Sequence, residues 1–196
     1  MSVSLSKGQK IDLSKASPGL SKVCMGLGWD PAKKKGGFLS GIFGGGAADS
    51  IDLDASCLVF SSSGKLLDTI WFRQLRSNDG SIIHTGDNLT GDGDGDDEQI
   101  KVDLNRLGST VTSLVFTVNS FRGQTFDEVD NAFCRIVDEI TGKELGVYRL
   151  QEQGKHTGVI MAVVSRKSGA WEMKAIGAPL NGREASDMAS AAVRYI

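Results

Sequence analysis

Only three cysteines and two histidines occur in 196 residues, and each shortage removes a class of chemistry. Cys24, Cys57 and Cys134 are odd in number and far apart, which excludes a disulfide framework and a C-x-x-C metal or redox site. Cys57 and Cys134 sit inside apolar runs, where a free thiol behaves as a small hydrophobe and not as a nucleophile. His84 and His156 fall in no recognisable nucleophile arrangement, and zinc or copper would need imidazole and thiolate ligands that do not cluster here. No apolar stretch approaches the roughly 18 residues of a membrane-spanning helix, because Asp, Lys, Ser or Gly interrupts every candidate. The opening residues Met1-Ser2-Val3-Ser4-Leu5-Ser6-Lys7-Gly8 lack the charged-then-apolar order of a secretory signal, so a cytoplasmic protein is expected. A net charge of −2 leaves no basic footprint for nucleic acid, and no nucleic-acid partner is expected. With 40% hydrophobic and 23% charged residues, the length fits one domain over 1–196 with a full core.

What is present reads mostly as strand. Leu66-Leu67-Asp68-Thr69-Ile70-Trp71-Phe72 and Ser81-Ile82-Ile83-His84 flank Ser77-Asn78-Asp79-Gly80, whose Asp-Gly pair supplies the positive φ of a tight turn, and the spacing predicts a hairpin. Ile100, Val102 and Leu104 alternate with Lys101 and Asp103 at the period of a half-buried strand. Further strands are expected over 111–118, 132–137, 145–150, 158–164 and 171–176, with turns at Thr141-Gly142-Lys143 and Lys167-Ser168-Gly169. Helical patterning is weak until the Ala-rich stretch from Glu184 to Arg194, which fits one short helix. Many short strands between Gly-containing turns predict an all-β fold, a β-sandwich or an open barrel over a parallel α/β sheet, and the form expected is a β-sandwich of two mainly antiparallel sheets.

Pro31 to Ser50 stands apart. It carries Lys33-Lys34-Lys35, six glycines and the apolar residues Phe38, Leu39, Ile42 and Phe43, and it buries a face at neither regular period. It reads as a Gly/Lys-rich loop insertion. The sharper alternative is a docking element, with the apolar residues beside three lysines meeting an anionic membrane surface at its inner face or a partner's groove.

The charge is unevenly placed. Asp87, Asp92, Asp94, Asp96, Asp97 and Glu98 fall in twelve residues without a Lys or Arg, and the rest of the chain is net positive. The run lies between two predicted strands, so it is a loop pinned at both ends. Two carboxylates ~6 Å apart repel by ~0.7 kcal/mol in water, and a pinned loop cannot relieve that by spreading. A cation is required, and calcium fits best: it takes six to eight hard oxygens from carboxylates, amides and carbonyls in a flexible shell. The interspersed glycines let such groups converge. The spacing excludes an EF-hand, since a template started at Asp92 places Asp97 where Gly is needed and Asp103 where Glu is needed. In Ile51-Asp52-Leu53-Asp54-Ala55-Ser56 the two aspartates alternate with apolar residues, which predicts both carboxylates on one strand face about 7 Å apart. Alone they read as a solvated face; beside the acidic loop they become candidate ligands. Eight carboxylates exceed what one divalent ion needs, so two adjacent calcium ions are expected.

Several segments resemble one family. Leu5-Ser6-Lys7-Gly8, Gly26-Leu27-Gly28-Trp29-Asp30, Asp52-Leu53-Asp54-Ala55-Ser56, Gly86-Asp87-Asn88-Leu89-Thr90-Gly91 with Gly95-Asp96-Asp97-Glu98, and Trp171 look like the TerD family of tellurium-resistance and stress proteins. The insertion, together with Trp71-Phe72-Arg73-Gln74-Leu75 and Ser120-Phe121-Arg122-Gly123-Gln124-Thr125-Phe126, is most similar to its TerZ branch. The resemblance implies a calcium-binding β-sandwich encoded among bacterial stress genes linked to tellurite resistance, phage inhibition and colicin tolerance. It implies calcium ligands at Asp87, Asn88, Asp92, Asp94, Asp96, Asp97 and Glu98, with Asp52 and Asp54 from the second block. Asp30 matches a family motif without an assignable role.

The expected function is a non-enzymatic binding or scaffold module, in which calcium orders the loop and the ordered surface engages other proteins of the tellurite-resistance stress system. The alternative has the ions bridge the protein to phosphate groups of an anionic lipid surface or a nucleotide. Catalysis is not expected, because ligands this numerous saturate calcium and leave no open position for substrate.

Overall fold

The computed structural model describes residues 2–32, 51–86, 95–151 and 153–196. The elements in chain order are β1 (Val3–Leu5), β2 (Lys10–Asp12), α1 (Leu13–Ala16), β3 (Lys22–Pro31), β4 (Asp54–Ser61), β5 (Leu66–Ile70) and β6 (Ile82–His84). They continue as β7 (Glu98–Asp103), β8 (Val111–Asn119), β9 (Val129–Asp138), β10 (Lys143–Arg149), β11 (Gly158–Lys167), β12 (Ala170–Leu180) and α2 (Ala185–Ala192). Two sheets result, in the orders β1-β10-β9-β3-β7-β6 and β2-β12-β11-β8-β4-β5, and every pairing is antiparallel except β1 with β10. The expected β-sandwich with a short C-terminal helix is what forms.

Alternation explains the core. Val23, Met25, Leu27 and Trp29 of β3 face inward with Ile100 and Val102 of β7 and Cys134 and Ile136 of β9. They meet Ala55, Cys57 and Val59 of β4 and Leu114, Phe116 and Val118 of β8 from the opposite sheet. The middle strands of the second sheet are apolar on their outer face as well, because α2 covers it. Ala185, Met188 and Ala192 pack there with Leu58, Phe60, Val115, Ile160 and Val163, and strands covered on both sides lose their polar alternation. All three cysteines are buried; burial pushes the Cys24 thiol up to about 11 and the Cys134 thiol up to about 12, and raises that of Cys57 too.

The structure corrects two local expectations. The Asp79-Gly80 turn forms, with Gly80 at φ +68°, but β5 and β6 do not pair: they lie in different sheets. Gln74 Nε2 and the Asn78 amide both donate to the Asp68 carboxylate of β5 (2.8 Å each), which ties the connecting segment to that strand. The turn then folds Leu75 back on His84, whose amide donates to the Leu75 carbonyl (2.8 Å), and β6 joins β7. Pro31, read as the start of the insertion, ends β3 opposite Val129, and the Ala32 amide donates to the Glu128 carbonyl at 2.7 Å. Residues 33–50, with the expected docking loop and membrane contact, lie outside the described residues. Among the described residues no helix is long and apolar enough to cross a membrane.

Met188, on the face of α2 that packs on the sheet, is fully buried, so Met188→Ala is expected to lower stability by about 2–4 kcal/mol in denaturant unfolding, without altering the sandwich core.

Candidate metal centre

The end of the acidic segment lies on a strand that lacks side chains where it crosses. Gly26 and Gly28 lie on the outer face of β3, and a Cβ built at Gly26 would collide with the Asp96 carboxylate. One at Gly28 would collide with the Phe133 ring and sit 2.6 Å from the Gly95 carbonyl. The Asp97 amide donates to the Leu27 carbonyl between them (2.9 Å). Glycine inside a strand marks such a close approach of chain to chain.

Asp96 is held from both sides. Arg135 Nε donates to its Oδ1 at 2.6 Å and Arg135 Nη2 to its Oδ2 at 2.9 Å, while Gln99 Nε2 adds a 3.0 Å bond to Oδ2. The carboxylate is only 2% exposed, and the two-pronged guanidinium contact is the strong form of this pairing. Arg135 Nη1 also reaches Glu144 Oε2 at 3.3 Å.

Asp97 accepts from the Trp29 amide through Oδ2 at 2.8 Å. Its carboxyl is nevertheless raised above the ordinary 3.8: burial pushes it up most, the Trp29 amide opposes that, and the neighbouring carboxylates of Asp30, Glu98 and Asp96 push it further. Asp30 in turn accepts from Asn131 Nδ2 at 2.7 Å.

Glu98 opens β7 and points inward. Its Oε2 accepts from the Ala55 amide of the opposite sheet (2.7 Å) and pairs with His84 Nε2 (3.1 Å), and both side chains are at most 1% exposed. The Gly86 amide donates to His84 Nδ1 at 3.2 Å, which leaves Nε2 as the nitrogen that donates to Glu98. One imidazole thus touches both ends of the segment from Gly86 to Glu98.

Asp52 and Asp54 do not share the face of one strand as predicted, since β4 begins at Asp54. Both are buried, which overturns the solvated reading. Asp52 Oδ2 accepts from Arg122 Nε at 2.9 Å, and its amide donates to Gln124 Oε1 at 3.2 Å. Asp54 stands opposite Asn119 of β8. The structure therefore brings Asp30, Asp96, Asp97 and Glu98 together, with the Asp52–Asp54 block joined to them through the Ala55 amide. Asp87, Asn88, Asp92 and Asp94 lie outside the described residues. Among the described residues no group of three or more His, Cys, Asp or Glu is arranged to hold a metal ion.

Sequence reasoning missed Arg135, Gln99 and the role of His84, as well as β3 itself. Gly-x-Gly in an otherwise apolar stretch was the available signal for β3; nothing in the spacing ties Arg135 to Asp96, which is 39 residues away. Gly26→Ala is expected to cost about 1–3 kcal/mol through overpacking against the carboxylate, measured by thermal unfolding. The same variant should lose the Asp96–Arg135 contact in a crystal structure.

Comparison with known proteins agrees with this architecture. The TerD domain matches residues 1–190. The chain is 57% identical over 188 residues to the tellurium resistance protein TerZ of Serratia marcescens, covering 96% of this chain and 95% of that protein. It is 43% identical over 204 residues to the stress response protein SCP2 of Bacillus subtilis (strain 168), covering all of both. It is similar in fold to the crystal structure of a homologue of telluride resistance protein (TerD) from Streptomyces coelicolor A3(2). That likeness has a TM-score of 0.67 at 22% identity, over 87% of this chain and 96% of that one. The chain belongs to the TerD-domain family of tellurium-resistance and stress-response proteins.

Proposed function

We propose that this protein is a calcium-loaded, non-enzymatic binding module of the tellurite-resistance stress response. Its acidic segment would be ordered by the ion and would then engage other proteins of that system. The observation that carries this reading is the crowding around Asp97: a partly buried carboxyl raised by desolvation and by three neighbouring carboxylates is a place where a divalent cation lowers the electrostatic cost. The side chains of the segment offer oxygen donors alone, and among the described residues the imidazole at its ends, His84, is already bonded to Glu98 and Gly86, which suits calcium over zinc. Asp97 is the described residue best suited to hold the ion. The sequence supplies Asp87, Asn88, Asp92 and Asp94 as further ligands of the segment.

The test is calorimetric titration of chelated protein with calcium and with magnesium. Saturable calcium binding with weaker magnesium binding is expected, and free calcium at about 100 times Kd should stabilise the fold by about 2.7 kcal/mol. An absence of calcium heat, or equal affinity for magnesium, rejects the reading.

Metal-free protein should also show a pH signature. Because the folded pKa of Asp97 lies above its unfolded value near 3.8, the folded state holds the proton more tightly. The contribution of Asp97 to stability therefore increases as pH falls through the folded pKa and is lost as pH rises through it. Relative to wild type, Asp97→Asn should gain stability at neutral pH in chelator and remove this contribution, read from urea unfolding between pH 3 and 7 (about the carboxylate range). With calcium present the ranking should reverse.

A further inference from the structure

We propose that Asp96 and Glu98 are positioning residues that fasten the acidic segment to the two sheets, with His84 as the third, and that the ion is held without their carboxylates. This rests on the calcium reading above. It differs from the ligand set that the motif suggests, and the geometry of each group is the reason.

Both Asp96 oxygens already serve strong donors. Arg135 grips Oδ1 and Oδ2 at 2.6 and 2.9 Å, and Gln99 adds to Oδ2 at 3.0 Å. The side chain cannot swing easily toward a metal, because it sits in the space left by the missing Cβ of Gly26. A calcium ion drawing on Asp96 would bring a divalent charge toward a guanidinium already in contact, and like charges disfavour that approach.

Glu98 points between the two sheets. Its Oε2 holds the Ala55 amide of β4 and the His84 imidazole of β6, so one carboxylate oxygen spans both sheets. His84 extends the fastening to Gly86 through Nδ1. The two ends of the segment, Gly86 and Glu98, are thereby fixed to a single buried ring. Fixing the ends removes much of the closure entropy that ion binding would otherwise have to overcome, as groups outside a metal's own shell do when they orient its ligands.

The two roles predict opposite signs in one experiment. If Asp96 is a ligand, Arg135→Met releases a competing cation and calcium binding tightens. If Asp96 fastens the segment, the same change loosens the frame, and affinity falls by about tenfold or more. Arg135→Lys, which keeps the charge without the two-pronged grip, should weaken binding in the same direction. Glu98→Gln is a shape-preserving companion: its amide oxygen can still accept from Ala55 and His84, so a positioning role predicts a loss below about threefold, whereas loss of a charged ligand costs about tenfold or more.

Calorimetric titration with calcium chloride of wild type and the three variants, each checked for folding by circular dichroism, decides it. Weakening in both Arg135 variants with little change in Glu98→Gln supports the proposal. Tightening or no change in Arg135→Met, or a tenfold loss in Glu98→Gln, overturns it. If wild type itself gives no calcium heat, the calcium reading fails first; Ala55 amide exchange in chelated wild type and His84→Ala then reads the fastening alone. Faster exchange in His84→Ala upholds the clamp and unchanged exchange removes it.

Discussion

Two side chains that are missing from β3 decide where the acidic segment goes. Gly26 and Gly28 leave the outer face of that strand open, and Gly95, Asp96 and Asp97 occupy the opening closely enough that a methyl group at either glycine would displace them. The backbone contact from the Asp97 amide to the Leu27 carbonyl fixes the register of this crossing. Everything else at the site follows from it: Asp96 lands against Arg135, Asp97 reaches the Trp29 amide, and Glu98 enters β7 with its side chain directed between the sheets.

The arrangement puts carboxylates where burial is costly, and each is compensated differently. Asp96 has a guanidinium and an amide, which satisfy a buried anion with directional bonds. Glu98 has a backbone amide and an imidazole. Asp97 has the Trp29 amide, but burial first and then three neighbouring carboxylates hold its carboxyl above the ordinary range. Three successive carboxylates that the sequence writes as one uninterrupted motif are thus compensated in three different ways.

The contrast between the two sheets also has a physical basis. The second sheet is covered by α2, so β8 and β11 are apolar on both faces and read as strands. The outer face of β3 carries glycines and receives a loop, so its strand character was hidden, although it is the central pairing strand between β9 and β7. The failed hairpin has a similar origin. Asp79-Gly80 specifies a reversal of the chain, but a turn does not specify which sheet its flanks join: β5 pairs with β4 in one sheet and β6 with β7 in the other.

Strand alternation and glycine-marked turns were enough to indicate an all-β fold, and the density of aspartates marked one anionic segment, because period-two burial and charge spacing are local properties of the chain. The buried state of Cys57 and Cys134 was legible for the same reason. Only the folded chain could decide that Asp52 sits under Arg122, that Arg135 grips Asp96, and that His84 joins Gly86 to Glu98. Those contacts join residues distant in sequence, so their energies depend on how two sheets come together, and no spacing rule along one strand contains that information.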